Sequence, residues 1–209
     1  MQTVSVEIVP LDGALRDINY DFFSFLFQTT DITEHSLALL SKSKIKEVSL
    51  IGRRGPLQVS FTTKELRELL NLKDCCNVWQ PEYMLTVPEV VPLLVKPRKR
   101  LTELMVQKFE SRKDPQPDEK QLKMIFLRSP VEFLGDHKVK GVKLVINRLE
   151  GDDLLNKKAV SIDIDETVDT SLVVSSIGYK SIKVDNDIPF DGKKNIVRNT
   201  HGKVEDGVY

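Results

Sequence analysis

The sequence predicts an α/β fold, on three observations. A helix signature, a short apolar strand, a glycine-flanked loop and a second helix signature follow one another between Asp31 and Leu70. The last third reads as strand-length runs suited to an antiparallel meander. At 209 residues the chain is long enough to bury a real core, as one large domain or two small ones.

The opening residues alternate Val4, Val6 and Ile8 with polar neighbours, like a short strand, and Pro10-Leu11-Asp12-Gly13 reads as a turn. That polar alternation suits a sheet edge better than a buried centre. The aromatic cluster Phe22-Phe23-Ser24-Phe25-Leu26-Phe27 has no clean period. Asp31 with Glu34 has the spacing of a capping box, placing a helix with Leu37, Leu39 and Leu40 that ends near Lys44. Lys46 to Ile51 is a short apolar-rich strand running into Gly52-Arg53-Arg54-Gly55-Pro56. Thr62 and Glu65 form a second capping box, and Leu66, Leu69 and Leu70 give that helix its buried stripe.

Pro81, Pro88, Pro92 and Pro97 exclude long helices over residues 77–98, while Leu101 to Phe109 suits a short one. Residues 110–121 are charged and carry prolines, as a surface loop does. Lys123 to Arg128, Val139 to Leu149 and Ala159 to Ile164 are the predicted meander strands. Leu172-Val173-Val174, closing on small residues and Gly178, suggests a buried parallel strand approaching a ligand.

Lys plus Arg equals Asp plus Glu at 31 each, so recognition by charge must be local. The adjacent Cys75 and Cys76 are expected to be free thiols, because a bridge between neighbours is strained. No apolar run approaches the roughly 20 residues that span a bilayer. The N-terminus, with Glu7, Asp12, Asp17 and Asp21 against one arginine, does not read as a presequence. The histidines are far apart, there is no Cys-x-x-Cys and no Gly-x-Ser-x-Gly, and no Gly-x-Gly-x-x-Gly loop is present to cradle a pyrophosphate.

Two basic features carry chemistry. Arg53-Arg54 follows a strand, where open α/β sheets bind ligands, and paired guanidinium groups grip phosphate through charge-assisted hydrogen bonds. In dinucleotide-binding folds that corner meets the adenine ribose, and arginine in place of an acid admits the 2′-phosphate of NADP. A basic surface turn is the alternative at this level. Lys96-Pro97-Arg98-Lys99-Arg100 is the second feature, open to nucleic acid, targeting or an acidic protein, or simply a solvated loop. No aromatic interleaving or RNA-binding motif accompanies it, which makes nucleic acid the weakest option.

Five blocks, in order, resemble the NADPH:adrenodoxin (ferredoxin) oxidoreductase family. They are the stretch from Gly52 to Glu68, Pro97 to Leu104, Phe126 to Pro130, Asn147 to Gly151, and Val174 to Ser181 with Ile188 to Asp191. The resemblance runs from about Thr30 to Tyr209 and implies an incomplete Rossmann-like NADP-binding domain with an antiparallel β meander, plus part of the FAD-binding domain. It divides the chain into an unmatched leader 1–28, an NADP-binding part 29–166 and the start of a returning FAD-domain part 167–209. It implies that Arg53 and Arg54 hold the NADPH 2′-phosphate and that Glu65 contacts the same nucleotide. Arg67, Lys96, Arg98, Lys99 and Arg100 would then face an acidic ferredoxin or adrenodoxin, the iron–sulfur partner. Lys96 stands where relatives carry arginine, keeping charge without the fork. The implied reaction passes electrons from NADPH through FAD, in mitochondria, with peripheral inner-membrane association. Both family glycine loops and the later Gly-Trp segment have no counterpart here, so the chain is expected to be a fragment that holds no flavin alone. The alternative is a non-catalytic NADP- or ferredoxin-docking protein.

Overall fold

Apolar residues alternate sides along two short strands, Glu47–Ile51 and Lys120–Ile125, which lets one sheet be covered on both faces. The computed structural model describes residues 5–9, 31–40, 42, 45–117, 119–176 and 180–204. In chain order the first part holds β1 (Ser5–Val9), α1 (Glu34–Leu40), β2 (Glu47–Ile51), α2 (Thr63–Leu70) and β3 (Cys75–Trp79). The short helices α3 (Pro81–Met84) and α4 (Val87–Val90) precede α5 (Arg98–Glu110). The strands β4 (Lys120–Ile125), β5 (Arg128–Leu134), β6 (Gly141–Glu150), β7 (Lys158–Asp169) and β8 (Leu172–Ser176) follow.

These strands make two sheets. The first has the order β3-β4-β2-β1-β8, with β4 parallel to both β2 and β3 and β1 antiparallel to both β2 and β8. The second is the meander β5-β6-β7. Helices α2, α3, α4 and α5 bury Leu66, Leu70, Met84, Val87, Leu101, Met105 and Phe109 against Trp79 and Met124. Ile51 and Ile125, one residue out of phase, contribute to the second cluster with Val142 and Leu144 of the meander. Each fully buried Leu, Ile or Met side chain contributes about 1.5–3 kcal/mol. Trp79 and Phe109 meet edge to face at 6.4 Å.

The parallel α/β part and the meander are both found, with corrections. Helix α1 begins at Glu34, and the Thr33 carbonyl accepts its first bond from Leu37 N, so Thr33 rather than Asp31 is the cap residue. Its expected end near Lys44 lies outside the described residues. The turn at residues 10–13 and the aromatic cluster also lie outside them. The strand predicted from Lys123 runs from Lys120 to Ile125 and joins the parallel sheet, while β3 and β5 went unpredicted. Strand β1 is bonded on both sides rather than lying at an edge. The Leu172 strand is an antiparallel edge, not a buried parallel strand. Among the described residues its one strand neighbour is β1; Leu172 and Val174 are exposed, while Val173 packs against the cluster of Ile51, Val142 and Leu144. Arg98, Lys99 and Arg100 form the first turn of α5 rather than a loop.

Residues Thr3–Ser176 form one unit and Ile177–Tyr209 a second. The second, by itself, holds the hairpins β9 (Phe190–Asp191) with β10 (Ile196–Val197) and β11 (Asn199–Thr200) with β12 (Lys203–Val204). The Asp191 carboxylate accepts from the Lys193 and Lys194 N–H groups, closing the first turn. Among the described residues, no helix is long and apolar enough to cross a membrane.

Arg128, 8% exposed, ties the meander to the helical layer. Its Nε donates to Glu166 at 2.7 Å and its Nη1 to the Tyr83 hydroxyl at 3.0 Å. Burial opposes its charge, but the bonds to Glu166 and Tyr83 outweigh it and raise its pKa. Replacing Arg128 by Met leaves both partners without their donor. Urea denaturation should show a loss of about 2 kcal/mol, modest for a buried pair because Glu166 is partly exposed.

Candidate functional site: the diarginine loop after β2

The loop Gly52–Gly55 leaves the sheet at the carboxyl end of β2, beside the end of its parallel neighbour β4. Its carbonyls are each turned to a donor. Gly52 O accepts from Arg128 N at 3.1 Å, Arg53 O from Asn147 Nδ2 at 3.0 Å, Arg54 O from Leu127 N at 3.2 Å and Gly55 O from Gln58 N at 3.1 Å. Gly52 N donates to Ile125 O at 2.8 Å. Gly55 is buried, and a Cβ there would come within 3.1 Å of Gln58 Oε1 and 3.3 Å of Leu149 Cδ1, so glycine permits the close approach.

An open cleft borders this loop. Arg53 and Arg54 form its basic rim, and Val59, Phe61, Ile125 and Phe126 provide apolar wall. Arg53 is exposed and Arg54 half-buried. Burial, then the like charges of Arg53 and Arg98, pushes the Arg54 pKa down, yet an arginine stays protonated. Those like charges make this a place of positive potential suited to an anion. Buried Gln58 donates Nε2 to Leu154 O at 2.6 Å, and its Oε1 has no partner among the described residues.

Glu65 is fully exposed, and its place is the start of α2. Its Oε2 accepts from Thr62 N at 2.7 Å and Thr62 Oγ1 at 2.8 Å, while Thr62 Oγ1 accepts from Glu65 N at 3.2 Å. The predicted capping box is therefore present. Arg67 is exposed on the same helix, and Lys96 and Arg100 are exposed at and before the start of α5. Arg98 stands apart from this exposed set. It is half-buried, and its Nη1 donates to Val59 O, in the cleft wall, at 2.6 Å. Burial lowers its pKa. Arg98 is thus brought to the diarginine loop. Sequence reasoning did not single out Asn147, because its part is played through a backbone carbonyl 94 positions away.

Cys75 and Cys76 are free thiols, as expected. Burial pushes both thiol pKa values up, reinforced by Cys76 for Cys75 and by Glu119 and Asp114 for Cys76. Among the described residues, no group of His, Cys, Asp and Glu is arranged to hold a metal ion.

No protein-family model matches the chain. Mitochondrial NADPH:adrenodoxin oxidoreductase of Salvelinus fontinalis is 40% identical over 189 residues, covering 86% of this chain and 38% of that protein. The same enzyme of Homo sapiens is 38% identical over 193 residues, covering 87% and 39%. Over the matched residues this chain is similar to the NADPH:adrenodoxin oxidoreductases. The solved structure of Mycobacterium tuberculosis FprA in complex with NADPH matches with a TM-score of 0.75 at 31% identity, covering 88% of this chain and 40% of that one. The mixed α/β architecture is thus shared with that FprA structure, and the chain spans less than two-fifths of the length of these two curated relatives.

The cap pairing has a pH signature. Hydrogen bonds from the Thr62 backbone and then its side chain lower the Glu65 pKa. A lowered carboxylate pKa stabilises the fold above its unfolded value, and that contribution is lost as pH falls through the folded value. Glu65→Gln keeps a capping-box residue without the titrating charge. Its urea midpoint should fall less than that of the parent between about pH 5 and about pH 3.

Proposed function

We propose that this chain supplies the adenosine-phosphate grip and partner-docking surface of an NADPH-dependent oxidoreductase. That enzyme passes electrons from NADPH through FAD to a ferredoxin- or adrenodoxin-type iron–sulfur protein in mitochondria, peripheral to the inner membrane. The observation that carries the reading is the pair Arg53 and Arg54 beside Arg98 at the carboxyl end of a parallel strand, on the rim of an open cleft. Three guanidinium groups concentrated there match a dianionic 2′-phosphate, and the apolar walls match an adenine ring. The names of the relatives, with NADPH as the donor, support the same assignment.

In this reading Arg53 and Arg54 bind the 2′-phosphate. Glu65, whose Oε2 is held by Thr62, contacts the nucleotide through Oε1. Arg67, Lys96, Lys99 and Arg100 face the acidic partner, and Arg98 serves the phosphate rather than the partner. For FAD the fit is poor. The glycine-flanked loop at residues 52–55 carries arginines where a phosphate cradle needs bare backbone, so no flavin contact is assigned to this loop.

Arg53→Ala or Arg54→Ala should weaken 2′,5′-ADP binding about 10- to 100-fold by isothermal titration, with little change for 5′-AMP. Equal losses for both nucleotides would remove the assignment. Charge reversal separates the two basic groups. Arg100→Glu should weaken binding of an acidic ferredoxin most at low salt. Arg98→Glu should chiefly weaken 2′,5′-ADP, and the reverse pattern would return Arg98 to the docking surface.

A further inference from the structure

A diarginine loop grips one phosphate only if its backbone is held in one posture. Of the carbonyls from Gly52 to Gly55, three accept from backbone N–H groups, of Arg128, Leu127 and Gln58. Nearly any sequence supplies such donors. Among the described residues, the Arg53 carbonyl is the one of the four that accepts from a side chain, Asn147 Nδ2 at 3.0 Å. Asn147 is 5% exposed on β6, and the same Nδ2 donates to Ser129 Oγ at 2.8 Å. Its backbone N donates to Leu127 O at 2.9 Å.

Asn147 thus joins three segments: the loop, the turn between β4 and β5, and the meander. Beside it the pairing of β6 with β7 shifts register between Val145 and Asn147, and Asn147 pairs with Ser161. In a trans peptide the carbonyl and the following N–H point in opposite directions. Holding the Arg53 carbonyl toward Asn147 therefore aims the Arg54 N–H at the opposite side of the loop. It also fixes the peptide from which both guanidinium stems depart.

We infer that Asn147 is a positioning residue for nucleotide selectivity, holding the Arg53–Arg54 peptide in the posture that admits a 2′-phosphate. This rests on the assignment of Arg53 and Arg54 to that phosphate. Asn147 touches no ligand in this account, since it acts from beneath the loop. Ser129 is its other partner, and losing the Ser129 hydroxyl leaves the bond to the Arg53 carbonyl in place.

The test is isothermal titration of the full 209-residue chain and its variants with 2′,5′-ADP and with 5′-AMP, alongside thermal melting. Asn147→Ala should lose about 10-fold in affinity for 2′,5′-ADP and stay within about 2-fold for 5′-AMP. Asn147→Asp, nearly isosteric, sets an acceptor against the Arg53 carbonyl and should lose at least as much. Ser129→Ala should keep the parent's preference. An Asn147→Ala or Asn147→Asp protein that melts like the parent and keeps its preference overturns the inference and leaves the nucleotide assignment standing. So does loss of the fold in both variants, which would make Asn147 a core strut. A parent chain that binds both nucleotides alike overturns the nucleotide assignment and this inference with it.

Discussion

The parallel pairing of β2 with β4 is the constraint on which the candidate site depends. Their register sets Ile51 opposite Ile125, so both strands leave the sheet at one level. Gly52 N then reaches Ile125 O, and the turn that follows β4 returns Leu127 N and Arg128 N to the loop carbonyls. A slip of one residue would turn every β2 side chain to the other face and break these bonds together. The loop is therefore an extension of sheet hydrogen bonding, and its backbone groups are satisfied before any ligand arrives.

That pairing also explains the two cores. Met124 packs among the helices while Ile125, next in sequence, faces the meander. Both faces of the strands are thus withdrawn from water, as a parallel pair requires. The meander contributes more than cover. Asn147 and Arg128 arise from it, and each reaches into the region of the loop, one through an amide and the other through its backbone N–H.

Charge placement runs against local stability. Arg98, Lys99 and Arg100 occupy the first turn of α5, which contains no acid. Cations at a helix N-terminus oppose the macrodipole by about 0.3–1 kcal/mol each where exposed. Arg98 and Arg54 are also partly buried beside like charge. Helix α2, by contrast, starts on Thr62 and Glu65 with its N-terminal donors matched. The proposed anion recognition would account for a helix that gives up the favourable charge at its start, next to one that takes it.

Short-range chemistry was readable in the residues. The α2 capping box, the apolar run of β2, the proline-broken middle and the glycine-flanked arginines each depend on neighbours within a few positions. The ordered motifs also carried a resemblance to the proteins that this chain matches. Long-range pairing was not readable. A short apolar run does not say which strand it will join, so β4 went to the parallel sheet and not to the meander, and β8 to an antiparallel edge. The basic run looked uniform in sequence. Only the packing of α5 turned Arg98 inward to Val59 while leaving Lys96 and Arg100 in solvent. Asn147 lies far along the chain from Arg53, and only the folded sheet brings its amide to that carbonyl. Residue types and local spacing determined what chemistry the chain carries, and tertiary contacts decided which of those groups share one site, because hydrogen bonds between distant segments exist only once the sheets are formed.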